Sequence, residues 1–286
     1  MLRIVAALPL RVFHLLGWAL GWLVWALSPR FRRLTRQNLA ASGLNDPRLL
    51  HQSVGEAGKG ALEILPLWFR PQAEVAAWLQ VGDDIIALIE RAQAGGKGII
   101  FITPHLGCFE ITAQWYAHCR GPMTALFSPP KKGVMDYLIM SGREKPNLRL
   151  AAPGMRGMRA LIRALKAGEA VGILPDQVPG RGEGEWAPFF GRPAYTMTLV
   201  QRLAKATGAI MVVAYAERLP FGRGYRGVVE LMPEREPGET ASRHLNRALE
   251  ELIRRCPGQY LWSYNRYKVP AGVAAARAQP GALHAR

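Results

Sequence analysis

The sequence predicts an α/β protein: a mixed, mainly parallel sheet flanked by helices, preceded by an N-terminal membrane-anchoring helix. Three observations lead there. From Lys97 onward, short apolar runs alternate with segments of helical periodicity, the pattern of helices layered on a mostly parallel sheet. Before them, Ile4 to Leu27 is almost wholly apolar. The chain is also 286 residues long and 49% hydrophobic, enough to bury a full core as one large domain or two small ones.

Residues 1–28 form the expected anchor. At a helical rise its apolar stretch matches a bilayer core of about 30 Å. Only Arg3 precedes it, whereas Arg30, Arg32, Arg33 and Arg36 follow, so the positive-inside rule puts the body in the cytoplasm. Trp18, Trp22 and Trp25 fill the stretch and no small-residue cleavage site follows, unlike a signal peptide. Pro9 and Arg11 fit poorly in hydrocarbon, which leaves a shallow interfacial helix as the alternative to a spanning one.

Residues 29–96 read as a helical region. Within it Pro47 to Leu79 is mostly helical, with apolar positions around Leu62, Leu65 and Trp68 before a break at Pro71. Residues 97–270 form the α/β core. Strands are expected at Gly98 to Thr103, Met123 to Phe127, Ala170 to Leu174 and Ile210 to Ala214, with an edge strand at Tyr225 to Leu231 and a closing helix at Glu239 to Arg255. Residues 271–286, rich in Ala, Gly and Pro without periodicity, are expected to be mobile.

Charge and cysteines narrow the function. Lys and Arg number 37 against 21 acids, a net charge of +16, which selects anionic partners: nucleic acid, phospholipid headgroups or an acidic protein. The helix from Arg156 to Lys166 sets Met158, Leu161, Ile162 and Leu165 on one face. Arg156, Arg159, Arg163 and Lys166 line the other, a solvated face or a docking stripe for lipid phosphate or an acidic carrier protein. Cys108, Cys119 and Cys256 are odd in number and fit neither a disulfide framework nor paired metal ligands.

The chemical clue is His105 with Glu110, directly after the first core strand. A carboxylate beside an imidazole fixes its tautomer and stabilises the imidazolium formed when a hydroxyl loses its proton, so the pair suggests group transfer onto an alcohol. Five positions do not share a helix face, so His105 is expected before a helix starting near Leu106 or Gly107. Glu110 then lies on its first turn, facing back toward the ring. A surface histidine and a first-turn acid favoured by the helix dipole is the plainer reading. Cys108 offers a covalent thioester route, against the commoner role of a buried thiol. A second cluster, Leu174 to Arg181, leaves a strand for a glycine-rich loop, expected to be a flexible flap, that ends at Pro188-Phe189-Phe190-Gly191. Loops at strand ends are where ligands bind, but the residues alone favour structural roles: loop ordering by Asp176 and Gln177 and core packing by Phe189 and Phe190.

In order along the chain, His105 with Glu110, Arg143 in Gly142-Arg143-Glu144, Asp176-Gln177 with Phe189-Phe190-Gly191 and Thr196, and Tyr260 to Tyr267 give a wider match. On these motifs the chain resembles the lipid A biosynthesis acyltransferases of the lauroyl/myristoyl type, within the lysophospholipid acyltransferase superfamily, from the anchor to about Lys268. Glu at position 110, where phospholipid branches usually carry Asp, leans the same way. The resemblance implies transfer of a fatty acyl chain from acyl carrier protein to a hydroxyl of a Kdo-bearing lipid A precursor, an anionic glycolipid, at the cytoplasmic face of the bacterial inner membrane. It implies His105 as a base oriented by Glu110 and Arg143 on a phosphate or the oxyanion. Asp176 and Gln177 would form the pocket wall, Arg181 would join the substrate-binding set, and Phe189 and Phe190 would line an acyl groove. No metal, redox cofactor or nucleic acid is expected. The nearest alternative is acylation of lysophosphatidate or another glycolipid, and a more distant one is a basic, non-enzymatic nucleic-acid-binding module.

Overall fold

Gly98 ends a turn at φ +73°, where a side chain would press on the backbone at Leu165 and Glu169, and the chain then enters Ile99–Ile102, four buried apolar residues in a row. Such a run belongs inside a sheet covered on both faces, and this strand, β2, does lie at its centre. The computed structural model describes residues 2–127 and 142–276, so most of the tail expected to be mobile, 277–286, lies outside the described residues.

The seven-stranded sheet has the order β1-β9-β8-β2-β5-β3-β4. Its strands are β1 (Leu79–Gln80), β2, β3 (Met123–Leu126), β4 (Leu148–Ala151), β5 (Ala170–Ile173), β8 (Ile210–Arg218) and β9 (Tyr225–Leu231). Every pairing is parallel except β8 with β9. The mixed, mainly parallel sheet expected from the sequence is therefore present. Three details differ. β9 is not an edge strand, because β1 pairs outside it. β4 was not anticipated. The loop read as a flexible flap leads into an antiparallel hairpin of β6 (Gly184–Phe189) and β7 (Arg192–Met197), whose turn uses Phe190 and Gly191 at positive φ.

Helices cover both faces. One core cluster joins the sheet to α9 (Met155–Lys166), α10 (Leu199–Thr207) and α11 (Ala241–Arg255). The other joins it to α5 (Ile64–Phe69), α6 (Gln72–Ala76), α7 (Asp83–Ala94) and α8 (Phe109–Cys119). The expected basic helix is α9, with Arg156, Arg159, Arg163 and Lys166 exposed.

The N-terminal region is a set of helices laid on this body. Pro9 separates α1 (Leu2–Ala6) from α2 (Leu10–Leu27), the one described helix long and apolar enough to cross a membrane. Ser28 caps α3 (Pro29–Ala41), accepting from Phe31 N–H, and Asp46 caps α4 (Pro47–Leu62), each with proline at the first helical position. α2 packs along α4 through glycines. Side chains at Gly17, Gly21 or Gly58 would collide with the facing backbone, so the two axes approach closely only because these residues have none. Asn38 on α3 donates to the carbonyls of Trp262 and Tyr264 at 2.7 and 2.8 Å, tying the C-terminal segment to the same side.

Candidate active site

β2 and β5 run parallel with Ile102 opposite Ile173, and each leaves the sheet through a similar sequence: Thr103-Pro104-His105 and Leu174-Pro175-Asp176. Thr103 N–H still donates to Ile173 O at 3.0 Å, so the register persists beyond the strands until the prolines end it. His105 and Asp176 thus arrive together at the carboxyl edge of the sheet, where ligands of parallel α/β folds bind. His105 Nδ1 lies 2.8 Å from Asp176 Oδ1, and the His105 backbone N–H donates to Asp176 Oδ2 at 2.9 Å. A carboxylate only accepts, so Nδ1 holds the ring proton and Nε2 is left as the acceptor. The Gln177 side-chain amide meets that atom at 3.1 Å.

Asp176 is 2% exposed. Burial pushes its carboxyl up, but the charge and two hydrogen bonds of His105, with Arg266 behind, bring it below its ordinary value. It is a fixed anion under the imidazole. Tyr260 lies beside it, its hydroxyl pushed well up by burial and by that negative charge.

Glu110 does not orient His105, which corrects the sequence expectation. α8 starts at Phe109, two or three residues later than expected, and carries Glu110 toward α5. There it forms a two-point ion pair with Arg143, whose Nε donates to Oε2 at 3.2 Å, and accepts from Trp68 Nε1 at 3.3 Å. Arg143 also lies over the rings of Phe127 and Trp68, at 4.5 and 5.3 Å, and burial lowers its guanidinium to about 10. The two sequence-predicted residues therefore share one groove but answer to different partners.

That groove has a volume of about 1030 Å³. His105, Glu110, Arg143 and Gln177 stand at its polar part, and Leu126, Leu150, Met155, Met158, Leu161 and Leu199 supply much of its apolar wall. Phe189 and Phe190, expected to line the groove, lie in the core instead, packed against each other with centroids 4.9 Å apart and covered by Arg266 and Arg254. The positive-φ hairpin turn directs them inward onto α11, where Phe190 N–H donates to Glu250 at 2.8 Å. Arg181 is exposed and lies next to Gly272; it is not itself on the groove wall, although Gly180 and Glu183 on either side of it are. Cys108 is 2% exposed and also absent from the lining. Burial, then the charge of Glu63, raise its thiol well above the ordinary value, which keeps it protonated and a poor nucleophile.

The histidine turn is held from both sides. Leu261 N–H donates to His105 O at 3.0 Å, Gly107 N–H to Gln259 O at 3.1 Å, and Cys108 N–H to Ala216 O at 2.8 Å. Gly107 has φ +59°, and a Cβ there would collide with Ala216 O. Arg218 donates from Nη2 to Gly107 O at 3.2 Å and binds Glu63 through Nε and Nη2 at 2.7 and 2.6 Å. Burial works against the charges of both, yet their pairing lowers Glu63 to about 2 and raises Arg218 well above its ordinary value. This buried pair, with Tyr225 and His14 also on Glu63, is not readable from the sequence, since Glu63 and Arg218 are separated by 155 positions. The Tyr260 to Tyr267 motif has a bracing role that its sequence alone does not reveal. Arg266 binds Tyr195 O and Thr196 at 2.8 Å each, and Tyr264 accepts from Val178 N–H at 3.0 Å, so the segment braces the Asp176 loop and the hairpin. Among the described residues, no group of three or more His, Cys, Asp or Glu side chains is gathered to hold a metal ion.

A mainly parallel sheet with an imidazole–carboxylate pair at its carboxyl edge, opening on a largely apolar groove, defines an α/β enzyme suited to acyl chemistry. The family model for bacterial lipid A biosynthesis acyltransferases matches residues 1–269. The lipid A biosynthesis lauroyltransferase of Escherichia coli K12 is 28% identical over 282 residues, 95% of this chain and 90% of that protein. The palmitoleoyltransferase of the same organism is 29% identical over 276 residues, covering 93% and 88%. Its myristoyltransferase is 26% identical over 182 residues, covering 62% and 55%. The chain belongs to the bacterial lipid A biosynthesis acyltransferases.

Proposed function

We propose that this enzyme moves a fatty acyl chain from acyl carrier protein to a hydroxyl of a Kdo-bearing lipid A precursor, at the cytoplasmic face of the inner membrane, with His105 as general base. The observation that carries this reading is the bond from His105 Nδ1 to buried Asp176, which leaves Nε2 at the groove. An acceptor hydroxyl takes the place of the Gln177 amide on Nε2 and gives its proton to the ring as its oxygen attacks the thioester carbonyl. The carbon–sulfur bond then breaks, and the leaving thiol takes the proton from the imidazolium. Asp176 stabilises the cation formed in between, as an orienting carboxylate does.

Negative charge develops on the carbonyl oxygen during attack. The amides of Phe109 and Glu110 open α8 without backbone acceptors among the described residues, and Arg143 Nη1 has no partner there either. These donors suit the oxyanion or an acceptor phosphate, with Glu110 serving as the clamp that aims Arg143. The acyl chain occupies the apolar wall formed by Met155, Met158 and Leu161. That wall belongs to α9, whose opposite face carries the exposed arginines, so an acidic carrier protein docking on the basic face would deliver its chain at the groove.

The test offers purified enzyme a labelled acyl chain on acyl carrier protein, with either lipid A precursor or lysophosphatidate as acceptor. Label on lipid A precursor supports the reading. Label on lysophosphatidate alone, or release of free acid with neither acceptor labelled, contradicts it.

A further inference from the structure

The helix α2 is apolar enough to span a bilayer, yet its packing is that of a helix lying against a protein. Leu10, Phe13, His14, Gly17 and Gly21 form its buried face. Leu15, Leu16, Leu23 and Leu27 are exposed, and at 100° per residue they fall on one side of the helix, about 120° wide, from its second turn to its end. The buried face runs antiparallel along α4: Trp22 packs against His51 with ring centroids 4.7 Å apart, Gly21 meets Val54, Gly17 meets Gly58, and His14 reaches Glu63 at 3.2 Å.

That partner cannot follow α2 into hydrocarbon. It carries Arg48, His51, Gln52, Glu56 and Lys59 and leads directly into Glu63. It is also fastened to the sheet, since Arg218 of β8 binds both Glu56 and Glu63 at 2.6 Å. If α2 crossed the bilayer in this arrangement, a charged helix and one end of the sheet would cross with it.

A second observation lies at the start of α2. Phe221, in the turn between β8 and β9, is 87% exposed and has φ +59°, a region unfavourable for an aromatic residue. The next residue, Gly222, fits against the backbone of Arg11 so closely that a side chain there would collide with it. The ring therefore projects beside the N-terminal end of the apolar stripe. Exposed Arg11 and Arg223 flank it, and exposed Arg30 and Arg33 follow the far end of the helix.

We infer that α2 lies in the plane of the membrane surface without crossing it, and that Phe221 inserts beside it into an anionic phospholipid bilayer, with these arginines on the headgroups. An apolar stripe rimmed by cations is what an interfacial helix presents to such a surface. The orientation also brings the groove to the lipid. Ile64 and Trp68 of α5 line the groove, and α5 packs on α1, with Arg70 donating to the carbonyls of Ala6 and Leu8 at 2.6 and 2.7 Å. A lipid acceptor can then enter sideways from the leaflet.

The inference rests on the membrane attachment in the proposed function but on none of its chemistry, and it is tested without turnover. Single cysteines replace Leu16, Leu23 and Phe221 in the full-length Cys119→Ser protein, in which Cys108 and Cys256 remain buried. Each carries an environment-sensitive fluorophore and is quenched by nitroxide lipids of two depths in vesicles containing anionic phospholipid. All three labels are expected at one shallow depth, about 5–10 Å below the headgroups. Labels at 16 and 23 whose depths differ by about 10 Å, the rise of seven helical residues, mean a spanning helix and overturn the inference. A label at 221 left in water overturns it, as does a stripe shielded from lipid by a second copy of the chain. Phe221→Asp should weaken partitioning into the same vesicles about tenfold, the worth of one inserted aromatic ring, and unchanged partitioning counts against the insertion.

Discussion

Asp176→Asn separates this account from one in which Glu110 supports the base. The substitution keeps the side chain's shape but replaces an acceptor of two hydrogen bonds, at 2.8 and 2.9 Å, with a group that also donates. The imidazole loses both the anion that stabilises its protonated form and the contact that fixes its tautomer. Loss of an orienting carboxylate of this kind lowers kcat about 10⁴-fold in a serine protease, so a fall of about 10³- to 10⁴-fold, or roughly 4–5 kcal/mol of barrier, is expected. KM should change little, because Asp176 does not line the groove. Glu110→Gln acts through Arg143 and is expected to cost less, about 10²-fold. The assay is steady-state transfer from an acyl thioester of the carrier protein, with melting temperature measured alongside, since a buried donor facing an N–H destabilises by about 1–3 kcal/mol. Asp176→Asn within tenfold of wild type, with Glu110→Gln as damaging as loss of His105, would refute the reasoning.

Three further outcomes follow from the geometry. Gly107→Ala forces φ +59° on a side chain that collides with Ala216 O, so thermal unfolding should show a loss of roughly 3 kcal/mol and activity should drop with the displaced histidine turn. Glu63, held at about 2 instead of its ordinary 4.5, supplies stability that is complete above its unfolded value and is lost as pH falls through its folded one. Urea unfolding between pH 5 and about 2 should register on the order of 3 kcal/mol of acid-sensitive stability from this group, and Glu63→Gln should remove that part of the slope. Cys108→Ser should turn over at near wild-type rates, because the thiol is buried, protonated and off the groove. A loss of a hundredfold or more with the fold intact would restore the covalent route.

Several core elements are legible because each carries its own periodicity: β2, β3 and β5 fall within a residue of the apolar runs that announce them, and α9 shows its two faces in the sequence. The hairpin was not. Its glycines suggest flexibility, whereas Gly184 is needed because Pro179 and Tyr195 press against it. His105 and Asp176 were each singled out, but their pairing is fixed by sheet order, across a sequence separation of 71. The available signal was the repeated exit from two strands, Thr-Pro-His after β2 and Leu-Pro-Asp after β5, which in adjacent parallel strands brings the third residues together. Spacing along the chain drew attention instead to Glu110, whose direction depends on where α8 begins. The groove role of Phe189 and Phe190 comes from the resemblance, whereas their residue types already favour core packing, because apolarity alone does not distinguish a groove wall from a core.

The most direct measurement is single-turnover acyl transfer by purified full-length His105→Ala, with wild-type folding confirmed by its melting curve. If Nε2 of that ring removes the acceptor's proton, the transfer rate falls by about 10⁴-fold or more while the acyl donor still binds. A variant that transfers its chain at the wild-type rate would contradict the account.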